Sequence, residues 1–180
     1  MRVCVVGTGY VGLVTGVCLA HIGHQVVCVD NDEGKVRLMQ AGTSPIYEPQ
    51  LSEMMQAALD AGRIEFTTDL AAGMAQGQIV FIAVGTPALP NGESDTRSVE
   101  AVARGIGSHL NGEYKVIVNK STVPIGSGDW VRMLMLEGYA GRHLTTQVAA
   151  RVGESGGNST GSVATAQQRS PPWSKSLILM

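Results

Sequence analysis

Six residues near the N-terminus, Gly7-Thr8-Gly9-Tyr10-Val11-Gly12, and a carboxylate eighteen positions further on, Asp30, have the types and spacing to hold a dinucleotide. The glycines each answer a steric need. Gly7 permits a tight turn out of a strand, Gly9 lets the backbone approach a pyrophosphate, and Gly12 lets the following helix pack closely. Phosphate oxygens would lie on the free N–H groups at that helix's N-terminus. Asp30 would accept hydrogen bonds from the adenosine ribose hydroxyls. A carboxylate there repels a 2′-phosphate, so the pattern favours NAD over NADP.

Two further hydroxyls stand in comparable turns. Thr86 lies in Gly85-Thr86-Pro87 and Thr122 in Ser121-Thr122-Val123-Pro124. Each follows an apolar run that reads as a strand, and in an open parallel sheet ligands bind beyond the carboxyl ends of the strands. Either threonine could meet phosphate, ribose or a bound water. Lys35, five residues past Asp30, either reaches the adenosine ribose or is a solvated helix charge.

The elements needed to position these residues are legible as strands alternating with helices. Apolar strands are expected at 2–6, 26–30, 79–84 and 114–119, with a shorter one at 65–68. Helices are expected over 10–22, 33–40, 50–61, from Asp69 (an N-cap) onward, from about 96 to 109, and over 126–137. The continuous apolar run Ile79-Val80-Phe81-Ile82-Ala83-Val84 is what a central strand covered on both faces requires. The fold expected is α/β, a Rossmann-like doubly wound parallel sheet with strand order 3-2-1-4-5, which brings the three turns to one crevice.

A hydrophobic content of 44% and a net charge of −2 over 180 residues describe an ordinary globular chain. No apolar run approaches the roughly 20 residues of a membrane span, and the N-terminus lacks a signal-peptide layout. Three cysteines, an odd number, fit a reducing compartment, so the expectation is cytoplasmic. Cys4, Cys18 and Cys28 read as small buried apolar residues. His21, His24, His109 and His143 show no metal-ligand spacing, and no metal is expected.

Several stretches together resemble the UDP-glucose/GDP-mannose dehydrogenase family: the glycine turn, Asp30 with Lys35, Ser44-Pro45-Ile46-Tyr47-Glu48-Pro49, Val84-Gly85-Thr86-Pro87, and Lys120-Ser121-Thr122-Val123-Pro124. The likeness covers roughly residues 1–138. Gln50 stands where the family usually has glycine. The resemblance implies a four-electron oxidation of a sugar C6 alcohol by two NAD, through an aldehyde held on a cysteine. It maps Val11, Asp30, Lys35, Thr86 and Thr122 onto cofactor contacts, and Thr122 onto a catalytic water as well. Tyr47 is more similar to the branch acting on UDP-glucose than to the GDP-mannose branch, with other nucleotide sugars still open.

After residue 138 the composition changes. Of the last 42 residues, 18 are Gly, Ser, Thr or Gln, and the net charge turns from −5 over residues 1–138 to +3. Residues 139–180 are expected to be a disordered tail, reading as a frameshift product or chimeric end, and too sparsely basic to bind nucleic acid. The family's catalytic cysteine and sugar-binding residues have no match there, so a cofactor half-site without catalytic activity is expected. A missing edge strand is expected to leave the last strand of the sheet open. Oligomerisation is expected only with the missing half present. The competing reading is a non-catalytic NAD-binding module.

Overall fold

A computed structural model of the chain describes residues 1–124, 126–153 and 177–179, with side chains described through Arg142. The elements in order are β1 (Arg2–Val6), α1 (Tyr10–His21), β2 (Gln25–Val29), α2 (Glu33–Gln40), α3 (Leu51–Asp60) and β3 (Ile64–Thr67). There follow α4 (Leu70–Gln76), β4 (Ile79–Ile82), α5 (Arg97–Ser108), β5 (Val116–Asn119), α6 (Ser127–Gly153) and β6 (Leu177–Leu179). All strand pairs are parallel, and the sheet order is β3-β2-β1-β4-β5-β6. The expected doubly wound sheet is therefore the fold, and the order reverses between β1 and β4, where such sheets bind ligands.

Strand β1 is central and apolar on both faces, as burial by helices on each side requires. Val3 and Val5 pack into one core with α1, α2 and α3. Cys4 and Val6 pack into the other, against α4, α5 and α6. Cys4 and Cys28 are buried on opposite faces. Burial pushes the Cys4 thiol up to about 12, against a smaller opposing pull from the Lys115 charge, and it raises Cys28 likewise. Neither is an activated thiolate. Cys18 departs from the expectation: it lies on the solvent side of α1 and is exposed. Lys115, buried just before β5, donates from Nζ to the Gly77 carbonyl at 2.7 Å, at the N-terminal ends of β4 and β5, opposite the end that carries the glycine turn.

Two expectations for the C-terminal region change. Helix α6 continues past residue 137 to Gly153, and the edge of β5 is not open: Val116, Ile117 and Val118 pair with Leu177, Ile178 and Leu179. Composition averaged over 42 residues conceals both a helix continuation and a three-residue apolar strand. Residues 154–176 and 180 of the expected tail lie outside the described residues.

Gln50 precedes α3 with φ +67° and ψ −6°, the left-handed region, and among the described residues it is the non-glycine residue with positive φ. That conformation costs an ordinary L-residue about 1 kcal/mol or more, and glycine recovers part of it after its own larger chain entropy is counted. Gln50→Gly is expected to stabilise the fold by about 0.5 kcal/mol, a rise in Tm of about 1–2 °C. A scanning-calorimetry comparison checks it; a lower Tm would mean that the Gln50 side chain contributes more than its backbone costs.

Candidate functional site

The glycine turn leaves β1 beside the C-terminal ends of β2 and β4. Gly7 adopts φ +97°, and its N–H donates to the Val29 carbonyl at 2.8 Å. A Cβ at Gly7 would lie 2.7 Å from the Ala83 carbonyl oxygen, and one at Gly12 only 1.9 Å from the Gly7 carbonyl oxygen. Gly12 thus serves the approach of α1 to its own turn, as much as to the strands. Gly9 is different: a Cβ there would meet nothing within 4 Å. No protein contact demands glycine at that position, whereas a close-lying ligand would. Gly9 is the N-cap of α1, with no side-chain cap and no acidic residue in the first turn. An uncapped twelve-residue helix entered through glycine is a ready anion cradle.

Asp30, at the end of β2, is 8% exposed, and Thr8 is 1% exposed. Asp30 Oδ2 accepts from Thr8 N–H at 2.8 Å and from the Thr8 hydroxyl at 2.6 Å, and Oδ1 accepts from Asp32 N–H at 3.0 Å. Burial works to raise the Asp30 pKa, but the Thr8 hydroxyl, the two N–H donors and the Lys35 charge outweigh it, and the net direction is downward. The sign for stability follows. A carboxyl with a folded pKa below its unfolded value stabilises fully above about pH 4, and the gain is lost as pH falls through the folded pKa. The difference in unfolding free energy between the parent chain and Asp30→Asn is therefore expected to be largest at neutral pH and to narrow below about pH 4, as read by urea titrations across that range.

Asp30 opens on a cleft of about 730 Å³, also lined by Gly7, Gly9, Asn31, Lys35 and Gly85. That is a volume suited to a small ligand. Its far wall is apolar, from Leu70, Ala101 and Val102, with Asp95 and Arg97 at the head of α5. Arg97 Nε lies 2.9 Å from Asp95 Oδ1, and its guanidinium holds the Asp95 carboxyl down to about 2. Asp95 and Arg97 were not foreseen as site residues. The one signal available was an Asp two residues from an Arg at a helix start, and nothing local says that it faces Asp30.

Of the other foreseen residues, Lys35 is half-buried on the cleft wall, near enough for its charge to act on Asp30. Tyr10 and Val11 begin α1 with exposures of 56% and 50%, and the Tyr10 hydroxyl donates to Glu48. That bond ties the helix start to the Ser44–Pro49 loop. Thr86 and Thr122 are not among the described residues lining the cleft. They stand one strand apart, after β4 and β5, and Ser121 fastens their two turns together. Its hydroxyl donates to the Val84 carbonyl at 2.8 Å and its N–H to Asn119 Oδ1 at 3.1 Å. The site is thus a cleft at Asp30 joined by a helix N-terminus to a rim with two threonines, a layout that suits an elongated anionic ligand with a sugar at one end.

The model of the UDP-glucose/GDP-mannose dehydrogenase family, NAD binding domain, matches residues 1–152. A UDP-glucose 6-dehydrogenase of Bacillus subtilis is 48% identical over 142 residues, which are 79% of this chain and 31% of that protein. One from Pseudomonas aeruginosa is 46% identical over 149 residues, 83% of this chain and 33% of its own length. Among solved structures, GDP-mannose dehydrogenase from Pseudomonas aeruginosa superposes with a TM-score of 0.75 at 37% identity, over 77% of this chain and 32% of that one. UDP-glucose dehydrogenase from Pyrobaculum islandicum gives 0.73 at 40% identity, over 76% and 32%. The chain spans about a third of the length of the relatives it matches.

Proposed function

The chain belongs to the UDP-glucose/GDP-mannose dehydrogenase family and matches its NAD-binding domain, and from that premise we propose that it supplies the coenzyme half-site for oxidation of UDP-glucose to UDP-glucuronate. The substrate reading rests on the UDP-glucose 6-dehydrogenases among its relatives and on Tyr47 in the Ser44–Pro49 loop. Two NAD are consumed per sugar in this reading, since alcohol to acid is a four-electron change. A GDP-mannose or other nucleotide-sugar substrate is the alternative, and the likeness to GDP-mannose dehydrogenase favours keeping it in view.

NAD is the coenzyme, and when bound it supplies a hydride acceptor. The chain's residues do the holding. The turn at Gly7, Gly9 and Gly12, with Thr8, Tyr10 and Val11, presents the N-terminus of α1 to the pyrophosphate. Asp30 accepts from the adenosine ribose, with Lys35 beside it, and the wall of Leu70, Ala101 and Val102 covers the base. Thr86 and Thr122, on turns fastened by Ser121, are assigned to the nicotinamide half, with Thr122 also holding a water. These residues all precede the composition change at 138, so we assign coenzyme binding to residues 1–138 and no part of it to residues 139–180. The family match itself runs to 152.

The single observation that carries coenzyme binding is Gly9, a glycine at an uncapped helix start whose Cβ position is empty of protein. Calorimetric titration of the full chain tests it. One-site NAD binding, at least about tenfold tighter than NADP, is expected; no heat of binding at millimolar NAD overturns the reading. With Cys4 and Cys28 buried and Cys18 on the helix exterior, no thiol is offered to a sugar aldehyde. The chain by itself is therefore proposed to make no UDP-glucuronate, and product with two NADH per sugar would overturn that. Among the described residues no helix is long and apolar enough to cross a membrane, and a cytoplasmic location is proposed from the free thiols.

A further inference from the structure

The acceptor capacity of Asp30 is nearly used up by the protein itself. A carboxylate offers about four lone-pair positions. Thr8 takes two of them, both on Oδ2, and Asp32 N–H takes one on Oδ1. The Asp30 backbone is fixed as well, its N–H donating to the Thr67 carbonyl at 3.1 Å. Thr8, meanwhile, is 1% exposed, beneath the cleft rather than in it. Its hydroxyl proton and its backbone N–H, the two donors it has, both go to the carboxylate. Yet it is the second residue of the turn that receives the pyrophosphate. One side chain therefore couples the phosphate cradle to the ribose acceptor across 22 residues of sequence.

We propose that Thr8 is a positioning residue for coenzyme selection: its hydroxyl and N–H clamp Asp30 so that the one remaining acceptor position faces the ribose and the carboxylate cannot swing away from a 2′-phosphate. The proposal rests on the NAD reading above. It follows that selectivity is a property of the Thr8–Asp30 pair and not of Asp30 alone. A carboxylate free to rotate tolerates a 2′-phosphate by turning aside, and the two cations on the same cleft, Lys35 and Arg97, would then favour it.

The charged groups around the carboxylate are Lys35 on α2, whose charge acts on it directly, Asp32 on its own loop, and Asp95 and Arg97 at the head of α5, on the same cleft. The first turn of α1 contributes no acidic group. Removing the Thr8 hydroxyl leaves all of these in place and takes away a single donor.

The test compares the full parent chain with Thr8→Val and Thr8→Ser, titrated with NAD and with NADP. Thr8→Val is expected to weaken NAD about tenfold while NADP holds or tightens, so the NAD/NADP preference falls at least about tenfold; Thr8→Ser should restore it to within about twofold. Equal weakening of both coenzymes would mark a merely structural residue and overturn the proposal, as would an unchanged ratio. An NMR measurement on the unaltered chain stands even if Thr8→Val does not fold. The Thr8 amide proton should shift on acidification with the same midpoint as the Asp30 carboxyl carbon, and independent midpoints would sink the clamp. A parent chain that fails to bind NAD overturns the functional reading instead, which separates the two failures.

Discussion

Gly12→Ala is expected to cost the domain about 3 kcal/mol or more and to weaken NAD binding by about a hundredfold in whatever fraction still folds. The added methyl would lie 1.9 Å from the Gly7 carbonyl oxygen and 3.2 Å from Ala83 Cβ. The first of those atoms is backbone in a turn already at φ +97°, so it has little freedom to yield. Relief requires α1 to move outward by more than 1 Å, into the range where overpacked cores lose several kcal/mol. In the proposed binding mode the same movement carries the helix's free N–H groups away from the pyrophosphate, and misplacement by about 1 Å is expected to cost about two orders of magnitude. Gly9→Ala is the control. Its methyl meets no protein atom, so it should cost about 1 kcal/mol or less, the difference between glycine and alanine as an N-cap, while still obstructing the phosphates. Urea unfolding and NAD calorimetry on both variants distinguish the roles. If Gly12→Ala unfolds at the parent's urea midpoint, the close approach of α1 to the turn is not what this glycine serves.

The second large effect lies away from the coenzyme. Gly107→Ala is expected to destabilise by about 3 kcal/mol, lowering Tm by about 6–12 °C. Helix propensity alone predicts the opposite, a gain of up to about 1 kcal/mol on replacing an interior helical glycine by alanine. The sign is decided by packing. A Cβ at Gly107 would stand 1.9 Å from the Met135 carbonyl oxygen, and one at Gly138 would stand 2.0 Å from the Arg104 carbonyl oxygen. Helices α5 and α6 therefore touch backbone to backbone at two reciprocal glycines. Arg104 closes the contact with a 2.7 Å ion pair to Glu137, a surface pair that adds little. Val99, Ala103 and Ile106 of α5, with Val131, Leu134 and Met135 of α6, fill one core beneath the contact. Thermal unfolding of Gly107→Ala and Gly138→Ala checks the sign, and a raised Tm in either would show that the helices can separate at little cost.

Some of this molecule was open to inspection residue by residue. Helix α2 spans the expected 33–40, with Asp32 found to cap it through Lys35 N–H, and Asp69 caps α4 through Ala71 and Ala72 N–H as its position foretells. The apolar strands and the order of the first five depend on local pattern and on the handedness of crossovers, and both are written along the chain. Less visible were the ends. Helix α6 runs on through a segment whose average composition is polar, and a short apolar strand joins the sheet at β5, because strand pairing rewards three apolar residues that an average over forty dilutes.

By itself the sequence determined the fold class, the glycine turn, the acid at the end of β2 and the threonines after β4 and β5, since each depends on residue type at fixed local spacing. Only the tertiary structure decided what those residues face. It turned the Thr8 hydroxyl onto Asp30, set Arg97 and Asp95 on the same cleft as Asp30, placed Thr86 and Thr122 on a rim beyond that cleft, and brought Gly107 and Gly138 to one helix–helix interface. Those outcomes follow from the distances between elements far apart in the chain, and such distances are fixed by how side chains fill the two cores, a collective property that no local spacing encodes.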